Sequence, residues 1–144
     1  GLYLSRALTE LMQGLLSGRW SSADEVPPER ARTRHFAGSR PNARHGQAGA
    51  EPETFAAIAR VKEIAGRAGI EMSRVALAWL LAQPGVTSVV VGARNAAQAK
   101  TNAAAGDLTL PADVLDELSA ATDSLKRLFG PDNPDMWQVP GRMR

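Results

Sequence analysis

Apolar residues recur along this chain with different spacings, and each spacing predicts a different element. Over Glu51–Gly69 they fall at Phe55, Ile58, Val61, Ile64 and Ala65, the stripe of an amphipathic helix. Pro52 suits the first turn of that helix, Glu51 and Glu53 complement the positive end of its dipole, and Gly69 ends it. Ser73 is expected to cap a second helix. Its residues Val75, Leu77, Trp79, Leu80 and Leu81 are apolar on most faces, so it is expected to be deeply buried until Gln83-Pro84-Gly85 breaks it. Val86–Val91 is a β-branched run and reads as a buried strand. Asn95 is a good N-cap for a strongly helix-forming stretch, Ala96–Ala105, which Gly106 ends. From Pro111 onward, Val114, Leu115, Leu118, Leu125 and Leu128 keep a helical spacing up to Gly130.

Two stretches do not share this regularity. Ser21–Ala50 has no period; it holds Pro27, Pro28, Pro41 and a cluster of arginines at 30, 32, 34, 40 and 44, and it reads as a long loop, functional or disordered. His35 and His45 stand in polar sequence with no carboxylate or cysteine at ligand spacing, and they are expected to be surface residues and not metal ligands. The tail PDNPDMWQVPGRMR (131–144) is also aperiodic. At the other end, Leu4, Leu8, Leu11 and Leu15 have helical spacing, which Gly14 weakens and Gly18 stops, so the residues alone favour a helix over 4–16.

Composition narrows the classes. A chain of 144 residues, 44% apolar and 22% charged, is long enough for one domain with a real core. There is no run long enough to cross a membrane and no secretory signal pattern. Without cysteine, disulfides and thiolate metal sites are excluded, which fits a reducing, cytoplasmic location. The net charge of +2 does not mark a nucleic-acid binder, but the basic residues are mostly arginine, which favours phosphate or carboxylate recognition.

That preference has an obvious place to act. In Thr87–Asn102, TSVVVGARNAAQAKTN, the strand ends at the small turn Gly92-Ala93-Arg94 and runs into a helix N-terminus. Free N–H groups and the positive dipole end suit an anion, most often a phosphate, and Arg94 adds charge-assisted hydrogen bonds. Gln98 and Asn102 lie four apart on one helix face, roughly with Thr101. The plainer reading is an ordinary strand–turn–helix with a solvated arginine.

The segment VVVGARNAAQAKTN resembles the cofactor segment of aldo-keto reductases, I-P-G-A-R-N-x-x-Q-x-x-E-N, matching at Gly92, Ala93, Arg94, Asn95, Gln98 and Asn102; Thr101 stands where the family usually has glutamate. LMQGLLSGRW (11–20) is similar to the family's P-L-x-Q-G-L-L-T-G-K, the loop after the seventh barrel strand, with Glu10 in place of the proline and Leu8 where many members have a tyrosine. Met136 and Trp137 resemble the family's C-terminal tails. The resemblance implies an α/β fold, the C-terminal fragment of a (β/α)8 TIM barrel, with phosphates bound after strands seven and eight. Two parallel strands cannot close a barrel, so the chain by itself is expected to be mostly helical and marginally stable, with exposed apolar faces. Residues 4–16 then carry two readings: a helix, or a strand through about Leu8 and a loop after it.

The same resemblance implies the site. The cofactor is NADP(H). It would be held by Thr9, Leu11, Gln13, Leu15 and Arg19 of the first loop and by Gly92, Ala93, Arg94, Gln98, Thr101 and Asn102 of the second. The loop 21–50 would fold over the adenosine end, with Arg30 or Arg32 near the 2′-phosphate, and would be poorly ordered without nucleotide. The family reduces aldehydes or ketones by hydride transfer, using a tyrosine acid tuned by lysine, histidine and aspartate from the first half of the barrel. Here the sole tyrosine is Tyr3, in the wrong context, and Lys62, Lys100 and Lys126 lie on expected helices, so no catalytic residues are assigned. The whole chain, 1–144, therefore reads as a partial aldo-keto reductase domain, inactive alone, whose complete form acts on a small-molecule carbonyl substrate and engages neither nucleic acid nor membrane. Two other readings stand beside it: a non-catalytic nucleotide-binding regulatory subunit, and a small helical interaction domain whose basic loop meets an acidic partner.

Overall fold

The longest element forms where the apolar stripe places it. Helix α1 (Glu51–Ala68) buries Ala57, Ile58, Val61, Ile64 and Ala65 and stops at Gly69, whose φ of 65° favours a residue without a Cβ. In this computed structural model, residues 10–130 are described. They form α1, α2 (Met72–Leu81), α3 (Ala96–Ala103), α4 (Ala112–Ala121) and α5 (Asp123–Phe129), with short 3-10 helices at Glu10–Ser17, Ala23–Glu25 and Pro28–Arg30. The mostly helical character expected from the sequence is observed. No described helix is long and apolar enough to cross a membrane.

The chain divides into two compact units. One comprises residues up to Arg19 with Arg60–Ala120; the other comprises Trp20–Ala59 with the residues from Ala121 on. In the first, α2 packs against the 3-10 helix Glu10–Ser17 and against α3. Leu15, Val75, Leu77, Ala105, Leu110 and Leu118 are buried there. The Trp79 indole N–H donates to Ser119 Oγ at 3.0 Å, tying α2 to α4, and Arg60 and Arg67 both pair with Glu117 on the surface. Trp79, Leu80 and Leu81 are half-buried rather than deeply buried.

Several sequence expectations are corrected. Val86–Val91 is not a strand: no described residues form a β-ladder, and an isolated parallel strand has no neighbour to satisfy its N–H and C=O groups. Its side chains still alternate, with Val89 and Val91 half-buried and Val90 73% exposed. The helix expected over 4–16 is a 3-10 helix from Glu10, because Met12 (φ 51°) and Gly14 (φ 96°) take left-handed conformations that an α-helix cannot continue. The strand expected through Leu8 lies outside the described residues. Ser73 does not cap α2. The helix starts two residues earlier than that cap would place it, behind Glu71, whose carbonyl accepts from the Arg74 and Val75 N–H groups, while Ser73 Oγ donates to the Glu71 carboxylate at 2.7 Å. The helix expected from Pro111 to Gly130 is two, broken at Thr122, where the Thr122 carbonyl starts α5 by accepting from Lys126 N–H.

The second unit holds the largest correction. The segment 21–50 is not an unstructured loop, and His35 and His45 are not surface residues. Val26, Ala31, Thr33, Arg34, His35, Phe36, His45 and Ala50 are all buried. The segment folds back on itself through Arg44 N–H to Arg32 O (3.1 Å) and Gly38 N–H to Gln47 O (2.8 Å). His45 Nε2 donates to Thr33 O at 2.9 Å, and its Nδ1 accepts from Gln47 N–H at 3.3 Å. His35 Nδ1 is hydrogen-bonded to Thr33 Oγ1 at 3.0 Å. Buried polar groups are tolerated when they are paired in this way.

Candidate functional site

The best-organised cluster of the expected site residues lies at the head of α3. Asn95, in extended conformation (φ −155°, ψ 168°), caps the helix: its Oδ1 accepts the Gln98 N–H at 2.8 Å. Gln98 answers with its own side chain, whose Oε1 accepts the Arg94 N–H at 2.9 Å. This is a capping box displaced by one residue. One turn further on, Asn102 Nδ2 donates to Gly92 O at 3.0 Å. Gly92, Arg94, Asn95, Gln98 and Asn102 are thus joined in one network that fixes the turn against the helix.

The network decides which donors face outward. Of the first four helical N–H groups, that of Gln98 goes to the Asn95 side chain and that of Ala99 to the Asn95 carbonyl. Ala96 and Ala97 N–H have no acceptor within the helix by its geometry. They sit at the positive end of the dipole beside Arg94, which is exposed, and Gln98, whose carbonyl end is engaged and whose Nε2 is its donor end. Chemically, donors and charge arranged in this way can accept a phosphate-sized anion. Thr101 is half-buried on the same helix, and Ala93 is exposed in the turn.

Behind the turn runs an open, mostly apolar groove of about 340 Å³, walled by Leu77 and Leu81 of α2, Val89 and Val91, and Ala99 and Ala103 of α3. Asn102 and Ala93 reach its edge.

The first-loop residues are placed differently. Thr9 lies outside the described residues. Leu11, Gln13 and Leu15 belong to the 3-10 helix that packs on α2, and the Leu15 side chain is 2% exposed, so it serves the core. Arg19 follows that helix and is exposed. In the other unit, Arg30 lies over the Trp20 ring at 5.8 Å, and Arg32 Nε donates to Glu29 O. Among the described residues, no group of three or more His, Asp or Glu side chains is arranged to hold a metal ion.

Asn95 reads as the cap from the sequence, whereas the reciprocal bond from Gln98 is signalled only by the N-x-x-Q spacing of the two residues. The buried polar cluster around His35 has no apolar period to announce it.

The sequence model of the aldo/keto reductase family matches residues 6–123 of the chain. The Protein tas of Escherichia coli (strain K12) is 40% identical over 68 residues, and the Protein tas of Shigella flexneri matches to the same extent. The aligned stretch is 47% of this chain and 20% of the length of each of those proteins.

Proposed function

The chain belongs to the aldo/keto reductase family, and from that premise we propose that it is the NADP(H)-binding C-terminal portion of a (β/α)8 enzyme that reduces aldehydes or ketones. The observation that carries this reading is the network from Gly92 to Asn102. It holds the residues shared with the family's cofactor segment in one arrangement and leaves two helix N–H groups beside an exposed arginine.

The roles proposed here rest on that arrangement for Arg94, Gln98 and Asn102 and on the resemblance to the family for the rest. Ala96 and Ala97 N–H and the Arg94 guanidinium would hold the 2′-phosphate, with Gln98 Nε2 beside them. Asn102, through Gly92 O, fixes the turn that presents them. Thr101 would flank the adenosine. Thr9, Leu11, Gln13 and Leu15 would contribute backbone to the pyrophosphate, and Arg19 a charge near the ribose phosphate. The nicotinamide, when bound, supplies the hydride. No proton donor is assigned on this chain, so the acid for the carbonyl oxygen belongs to another part of the complete enzyme, and the chain alone is expected not to turn over carbonyls.

Nucleotide titration tests the reading. NADPH and NADH dissociation constants are measured on the chain and on Arg94→Ala. Removing a charge-assisted hydrogen bond costs about 1.5–3 kcal/mol, roughly tenfold to a hundredfold in affinity. That loss is expected for NADPH and not for NADH, which lacks the 2′-phosphate. No NADPH binding by the wild-type chain, or equal loss for both nucleotides, overturns the assignment.

A further inference from the structure

One half-buried side chain from late in the sequence lies against the folded 31–50 segment. Phe129, the last residue of α5, receives the ring of His35 edge-on, with centroids 5.1 Å apart at 74°. The guanidinium of Arg34 lies over the same ring at 5.1 Å. Arg34 is fixed in turn by Nε donation to Gln47 Oε1 at 2.7 Å, across the fold-back of the segment. The next residue, Phe36, packs on Phe55 of α1, with Arg40 against its ring. So three consecutive buried residues are gripped by two helices: Arg34 and His35 by α5, and Phe36 by α1. The segment itself is held by turns, side-chain bonds and two backbone bonds across its fold-back, Arg44 N–H to Arg32 O and Gly38 N–H to Gln47 O. Gly130, with φ 76°, ends the helix at once after Phe129.

We propose that Phe129 is a positioning residue, a latch that holds the 31–50 segment in its folded form. The segment is therefore ordered by contacts within its own compact unit, with no ligand needed to fold it.

Amide hydrogen exchange on the whole chain tests the latch. In wild type, residues 33–47 are expected to be protected without nucleotide. Phe129→Ala is expected to speed their exchange at least about tenfold while α2 keeps its protection, and Phe129→Tyr, which retains the ring, is expected to behave like wild type. The NMR titration of His35 is a second readout: its imidazole, held near 4 by burial and by Arg34, moves back toward its ordinary value in Phe129→Ala only. Unchanged exchange at 33–47 in Phe129→Ala, or equal acceleration in α2, overturns the latch.

Discussion

Asn102 reaches back across ten residues to Gly92: its side-chain Nδ2 donates to the Gly92 carbonyl at 3.0 Å, tying the second turn of α3 to the residue where the Val-rich segment ends. The bond is partly buried and joins neutral groups, so its loss is worth about 1 kcal/mol. Asn102→Ala is expected to lower the unfolding free energy in urea denaturation by that amount. Asn95→Ala, which removes the cap from α3, is expected to cost a similar amount, typically ~1 kcal/mol. Both substitutions touch one turn, so the double variant should lose less than the sum of the two. Strict additivity in urea denaturation would show that the two bonds do not act on a common turn.

Gly49 is where the 31–50 segment passes closest to itself. Its φ is 81°, and a Cβ there would lie 2.1 Å from Phe36 O, a backbone atom that cannot step aside. Gly46, three residues earlier, has open space around its Cβ position. Gly49→Ala is expected to cost on the order of 3 kcal/mol or more, since overpacking and left-handed backbone strain add. Gly46→Ala should change stability within about 0.5 kcal/mol. Thermal unfolding of the two variants side by side checks the contrast. A Gly49→Ala protein as stable as wild type would mean that the segment is not folded this tightly.

The contrast between the two units explains what the sequence makes legible. Helix α1 is readable because Phe55 to Ala65 repeat at a local period, and the cap of α3 because Asn95 is a local signal. Val86–Val91 carries the composition of a strand, yet a strand exists only with neighbours, and none is present among the described residues. The core of the 31–50 segment is built from Thr33, Arg34, His35 and His45, whose burial depends on partners at Gln47, Phe129 and the Thr33 carbonyl. No window of the sequence shows those pairings. The residues of the turn before α3 stand out by resemblance, whereas the Gln98–Arg94 bond that ties them together is a matter of geometry.

Glu51 joins the start of α1 to the same segment. Its Oε1 accepts from Arg40 Nε at 2.6 Å and from Ala37 N–H at 2.9 Å. The Arg40 hydrogen bond holds the Glu51 carboxyl below the usual carboxylate range. The pair is partly solvated, so its charge is worth little more than about 1 kcal/mol. Glu51→Gln keeps an oxygen for Ala37 N–H and should lose about that much, whereas Glu51→Ala loses both bonds and should lose about 2 kcal/mol. Equal losses in the two variants, read from urea midpoints at neutral pH, would show that the charge and not the Ala37 bond carries the contribution.

His35 gives the protein a dependence on pH that begins well above the range of its carboxylates. The ring is 3% exposed, and burial, with the Arg34 charge beside it, lowers the imidazole from 6.5 to about 4. In the unfolded chain the ring takes up a proton as the pH falls through about 6.5; in the native protein it resists until about 4. Between those values the unfolded state binds more protons, so native stability is full above pH 6.5 and declines as the pH is lowered toward 4. Below 4 both states are protonated and this contribution levels off. The whole decline amounts to about 3 kcal/mol. Glu51 acts in the same direction but only below its unfolded value of 4.5, so the interval from pH 6.5 to 5 isolates the histidine. Urea midpoints measured across that interval should fall steadily in wild type and stay level in His35→Gln, whose side chain does not titrate. A wild-type protein with constant stability from pH 6.5 to 5, or a slope that persists in His35→Gln, would place the proton uptake elsewhere and leave the buried ring without influence on folding.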